Sequence, residues 1–117
     1  MSKESCIEKI CRLPQDFIIQ ETSFLTLLEN AKFKNFSNDI TLQDITNYLL
    51  LNRDLIEQWQ AWSHNKRSSG YYLSIDSNGY SVGALNNESA LDYHEFFSTV
   101  EEACAVFILK EIKITLS

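Results

Sequence analysis

Polar and apolar positions change period along the chain, and each change predicts a different element. Over residues 3–13, Ile7, Ile10 and Cys11 fall on one side of a short helix. Pro14 follows at a position where a first helical turn tolerates its missing N–H, so a second helix is predicted to start there. Phe17, Ile18, Phe24, Leu25, Leu27 and Leu28 continue the helical spacing, with Thr22 or Ser23 offering a restart. Residues 33–40, with their Asn, Ser and Asp, read as a connector. Thr41-Leu42-Gln43-Asp44 then resembles a capping box with Asp in place of Glu. The hydroxyl satisfies a free backbone donor, and the carboxylate suits the positive end of the helix dipole. Ile45, Tyr48, Leu49, Asn52, Leu55, Ile56, Trp59 and Trp62 recur at three- and four-residue steps, which predicts one long helix to about Ser63, the spine of the domain.

After Gly70 the period drops to two. YYLSID over 71–76 and YSVGAL over 80–85 flank Ser77-Asn78-Gly79. Asn-Gly is a strong hairpin signal because a type I′ turn needs positive φ at both central residues. With Asn78 and Gly79 as that turn, Ser77 faces Tyr80, Ile75 faces Val82 and Leu73 faces Ala84. Tyr71, Leu73, Ile75, Tyr80, Val82 and Ala84 then share a face fit to pack on helices. Tyr72, Ser74, Asp76, Ser81, Gly83 and Leu85 share the more polar one. A lone hairpin is marginal in water, so residues 91–97, LDYHEFF, are predicted as a third strand, with Leu91, Tyr93 and either Phe96 or Phe97 directed inward. Ser98-Thr99-Val100-Glu101 reads as a second capping box. Val100, Ala103, Cys104, Phe107 and Ile108 form the apolar stripe of a closing helix that runs to about Lys113. The prediction is a single α+β domain over 1–117: N-terminal helices and a long central helix, packed with a small antiparallel sheet (hairpin 71–85, third strand 91–97) and a C-terminal helix.

Composition narrows the class. The 117 residues are 44% hydrophobic and 12% aromatic, which excludes a disordered chain. Apolar runs such as Ala105 to Leu109 are far short of the roughly 20 residues of a membrane-spanning helix. Residues 1–13 alternate charge and apolar groups and lack the continuous apolar stretch of an export signal, so a cytoplasmic protein is expected. Cys6, Cys11 and Cys104, odd in number and without CxxC spacing, read as reduced thiols.

Ten Lys and Arg against 16 Asp and Glu give a net charge of −6, which argues against a nucleic-acid binder. The charge is uneven. Between Arg67 and Lys110 there is no Lys or Arg, and there are six acids: Asp76, Glu88, Asp92, Glu95, Glu101 and Glu102. A surface of one sign speeds encounter with a partner of the other and repels polyanions.

Candidate chemistry is sparse. The chain has no Gly-rich phosphate loop, HExxH, GxSxG or EF-hand pattern, and neither a cofactor nor a metal site is expected. Cys104, between Ala103 and Ala105 on the apolar stripe, reads as core rather than nucleophile. His94, flanked by Asp92 and Glu95, is the one general-base candidate; His64 suits the negative end of the spine helix. Glu101 and Glu102 suit a helix N-terminus, and Trp59 and Trp62 suit a core.

The stretch from Trp59 to Glu111 carries a further signal. It reads W-x-x-W-S-H-N-K-R-x-S-G-Y-Y-L, then Y-S-V-G, then an aromatic pair, then E-E-A-C-A-x-F-I-x-x-E-I. This resembles small bacterial immunity proteins, including those of contact-dependent growth-inhibition systems, which bind and neutralise a cognate toxin domain. The resemblance implies cytoplasmic residence, no catalysis, no cofactor and a toxin partner, often a basic nuclease; from charge and apolar run length, neither a nucleic-acid nor a membrane partner is expected. It transfers no site residue by residue, because such interfaces differ from pair to pair. On the residues themselves, Asp76, Glu88, Asp92 and Glu95 are the expected attractors of a basic partner, and Tyr72 and Leu85 on the polar hairpin face the expected apolar anchors. A monomer is expected. Two other classes fit the same residues: a small enzyme or ligand-binding domain built on His94 and nearby carboxylates, and an adaptor that dimerises through the hairpin edge.

Overall fold

Capping side chains set most of the helix starts in the computed structural model, which describes residues 2–65, 71–77, 79–84 and 93–116. Ser2 accepts the Ser5 N–H at 3.1 Å and opens α1 (Lys3–Cys11), which buries Cys6, Ile7, Ile10 and Cys11. Pro14 lies in the first turn of α2 (Leu13–Gln20), and Glu21 ends that helix in the left-handed region at φ 49°. Ser23 restarts the chain as α3 (Phe24–Asn30) by accepting the Thr26 N–H at 3.0 Å. The connector holds one helical turn, α4 (Phe33–Phe36), pinned by the buried side chains of Phe33 and Ile40. The Thr41 capping box forms in both directions. Its Oγ1 accepts the Asp44 N–H at 3.1 Å, and Asp44 Oδ2 accepts the Thr41 N–H at 2.9 Å.

The long helix expected over 41–63 is two helices, α5 (Leu42–Leu51) and α6 (Asp54–Asn65). Asn52 causes the break by hydrogen-bonding where the helix should. Its side-chain amide donates to the Tyr48 carbonyl at 3.0 Å, the acceptor that its own N–H would use in a continuing helix. That N–H turns instead to Leu49 O at 3.1 Å, and the residue leaves helical geometry at φ −139°, ψ 62°. The apolar period survives the break because both helices still face one core.

The sheet is β1 (Tyr71–Asp76), β2 (Gly79–Ala84) and β3 (Tyr93–Phe97), antiparallel in the order β1-β2-β3. The hairpin register differs from the predicted one. Asp76 pairs with Gly79, Ile75 with Tyr80, Leu73 with Val82 and Tyr71 with Ala84, a slip of two residues. A slip of two keeps each side chain on its face, so the hydrophobic pattern is blind to it. The observed register gains the Tyr71–Ala84 pair and sets the fully buried Leu73 and Val82 opposite each other. Gly79 holds φ 128°, which an L side chain rarely adopts. In β3 the choice between the two phenylalanines falls to Phe97, which packs on the core while Phe96 is exposed.

The closing helix α7 (Val100–Leu116) is capped by Thr99 rather than Ser98, with Thr99 Oγ1 accepting the Glu102 N–H at 3.2 Å. Helices α6 and α7 back the sheet, and α5, α3 and α6 flank α7. Helix α7 therefore buries Ala103, Cys104, Ala105, Phe107, Ile108 and Ile112. The centre of the core is aromatic: Trp59 meets Phe107 edge-on at 6.0 Å and Phe24 at 6.4 Å, and at its margin the exposed Phe17 meets Trp62 at 5.1 Å. The Trp59 indole N–H donates to Cys11 O at 2.8 Å, which ties α6 to the end of α1.

Candidate protein-binding surfaces

Directly opposed residues share a sheet face, so the register fixes which side each candidate occupies. Tyr71, Leu73, Ile75, Tyr80, Val82 and Phe97 face the helices. The outer face carries Tyr72, Ser74 and Asp76 from β1, Ser81 and Gly83 from β2, and Phe96 from β3. Tyr72 lies across Gly83, where a Cβ would run into the phenol ring; the glycine makes the room. Ser74 and Phe96 flank Ser81, which is buried between them in the central strand. Phe96 is 62% exposed, a large aromatic side chain held on a rigid strand. Asp76 is exposed at the hairpin end and accepts the Ser74 hydroxyl at 3.4 Å. On the edge of β1, the Leu73 N–H donates to the buried Ser63 hydroxyl of α6 at 2.7 Å.

Of the predicted contact residues, the structure brings Tyr72 and Asp76 together on this outer face. It separates Glu95 from them: opposite Val82, Glu95 belongs to the helix-facing side, exposed because β3 is the last strand of the sheet. Leu85, Glu88 and Asp92 lie outside the described residues, as do Leu91 and the side chain of His94. Two further acids of the C-terminal half leave the surface. Glu101 is buried and pairs with Arg53 of the α5–α6 break at 3.2 Å, instead of serving only the helix dipole. Glu111 is buried and accepts the Trp62 indole N–H at 3.0 Å. Charge counted along the chain therefore overstates the acidic surface.

The thiols are withdrawn from solvent. All three cysteines are buried and free. Desolvation pushes the Cys11 thiol up to about 12 and the Cys104 thiol well above the ordinary range, and raises Cys6 as well. Among the described residues, no group of three His, Cys, Asp or Glu is placed to hold a metal ion, and no helix is long and apolar enough to cross a membrane.

Sequence reasoning missed two exposed apolar features. Phe96 was one of two equivalent candidates for the core. Phe17, Ile18 and Leu25 continue the helical spacing in the sequence, yet all three are exposed, as is Ile19. The one available signal was crowding: an eight-residue helix with Phe17, Ile18 and Ile19 in succession has more apolar side chains than one face can bury.

No protein-family model, curated protein or solved structure matches the chain.

Proposed function

We propose that this chain is a binding protein that neutralises a cognate bacterial toxin domain by covering the toxin's substrate-binding surface. The observation that carries the reading is the outer face of the sheet. It presents Phe96 and Tyr72 as aromatic anchors and Asp76 at the rim, opposite the face that the helices cover. Rigid aromatic side chains surrounded by smaller polar ones are what a protein hot spot requires. The net charge of −6 draws in a cationic partner and repels that partner's nucleic-acid substrate. The resemblance between Trp59 and Glu111 points the same way, and free buried thiols suit a reducing, cytoplasmic setting. The partner in this reading is a basic toxin domain, most simply a nuclease, and the neutraliser works as a monomer.

The test uses the product of the adjacent upstream gene, which this reading expects to be a large secreted protein ending in a toxin domain. Wild type should bind it and abolish its activity. Phe96→Ser should weaken binding at least about tenfold, the effect expected of losing one aromatic anchor. Asp76→Lys should slow association most at low salt. No binding by wild type removes the function; tight binding unchanged in Phe96→Ser and Tyr72→Ala moves the contact off the sheet.

A further inference from the structure

Gly83 sits inside the middle strand of the sheet, where glycine weakens the strand that carries it. It gives up the side-chain packing and the backbone stiffness that almost any other residue supplies. Two of the usual reasons for such a glycine do not apply. Its φ is not positive; of the glycines among the described residues, only Gly79 holds that conformation. The ladder around it is also unbroken. Gly83 pairs with Tyr72 of β1 and with His94 of β3, and the pairs on either side keep the same step, so the strand has no bulge there. The reason that does apply is close approach. A Cβ on Gly83 would collide with the hydroxyl, Cζ and Cε1 of Tyr72. The outer end of that ring therefore rests on the Gly83 backbone, and Gly83 is buried although it has no side chain.

This contact shapes the outer face. Strand β1 is at the edge of the sheet, yet its tyrosine reaches inward across the central strand. Phe96 shares that face, opposite Ser81, the neighbouring outward position of β2. A ring held against the backbone has given up rotamer freedom before a partner arrives, so less is lost on binding. The colliding atoms are the far end of a flexible side chain. A methyl group at position 83 would therefore push the ring aside while the strands keep their register.

We infer that Gly83 is a positioning residue for partner binding: by lacking a side chain it lets the Tyr72 ring lie across the central strand, in the place where a partner meets it. The inference rests on the neutralising role proposed above and adds a residue that acts only through Tyr72.

The first arm of the test needs no partner. In the NMR spectrum of wild type, nuclear Overhauser effects should join the Gly83 Hα protons to the Tyr72 ring. The second arm uses the toxin domain of the adjacent gene's product. Gly83→Ala should weaken its binding at least about tenfold, the loss expected when one aromatic anchor is displaced. Added to Tyr72→Ala, which leaves room for the methyl group, Gly83→Ala should change affinity by less than about twofold, because both substitutions act on one ring. The inference is overturned if the Overhauser effects are missing, or if Gly83→Ala binds as tightly as wild type. It is overturned equally if Gly83→Ala costs as much affinity in the Tyr72→Ala background as it does alone. A wild type that does not bind removes the neutralising role and this inference with it; a wild type that binds, with any of those three results, overturns the positioning role alone.

Discussion

At the scale of single residues, burial decides what the polar and reactive groups can do. The Cys11 thiol, pushed to about 12 by desolvation, and the Cys104 thiol, raised well above its ordinary range by the same cause, stay protonated through the physiological range. Reaction with a soluble disulfide reagent at pH 8 therefore has to wait for the chain to open, and modification in native buffer is expected to be slower than in denaturant by on the order of 100-fold or more. A thiol that reacts rapidly in native buffer would show that α1 and α7 open locally. Arg53 and Glu101 give the opposite case, a carboxylate almost wholly buried whose cationic partner is mostly in solvent. Removing Glu101 with its charge loses little, since the arginine rehydrates. Arg53→Met strands the carboxylate inside and is expected to cost about 1–3 kcal/mol in urea denaturation at pH 7. Glu101→Gln, which keeps the shape, should cost less than Arg53→Met.

At the scale of elements, the start of α5 shows how a local signal becomes measurable stability. The Thr41 N–H and the Lys3 ammonium, 3.1 Å away, hold the Asp44 carboxyl below its ordinary value. A carboxyl with a lowered folded-state pKa contributes stability that is present above its unfolded pKa and lost as pH falls through the folded one. Asp44→Asn should therefore destabilise the chain at pH 7, by about 0.5–1 kcal/mol for a weakened cap, and the gap from wild type should close as pH falls below about 4. A gap that persisted in acid would assign the effect to the shape of the cap rather than its charge. The capping box was legible in the sequence because Thr41 and Asp44 lie three residues apart; the Lys3 contact, which comes from α1, was not. The break at Asn52 was not, because Asn in a helical pattern is compatible with either outcome. What decides between them is whether its amide wins the Tyr48 carbonyl and whether Arg53 finds Glu101, some fifty residues away in α7. The hairpin register escaped for a related reason: two registers that differ by an even number of residues bury the same side chains.

At the scale of the whole molecule, the alternation of apolar and polar residues gave the fold class, the number of strands and the core role of Cys104, Trp59 and Phe107. It left open which apolar residues stay outside. Composition alone does not separate Ile18 from Ile10, since both belong to short helices with apolar neighbours. The difference arises because α1 is covered by α5 and α4, whereas the outer side of α2 is not covered to the same extent. The same pattern that builds a core thus supplies candidate contact surfaces wherever a helix or strand has more apolar groups than its neighbours can cover. Thermal denaturation can draw this distinction without any partner. Phe107→Ala, at the fully buried aromatic centre against Trp59, should cost about 3–5 kcal/mol, a large share of the roughly 5–15 kcal/mol that holds a domain of this size together. Phe96→Ser removes a ring of the same size, yet should shift stability by no more than about 0.5–1 kcal/mol, because most of that ring is already in water. If Phe96→Ser proved as costly as Phe107→Ala, Phe96 would be a structural residue, and the outer sheet face would lose its principal anchor for a partner.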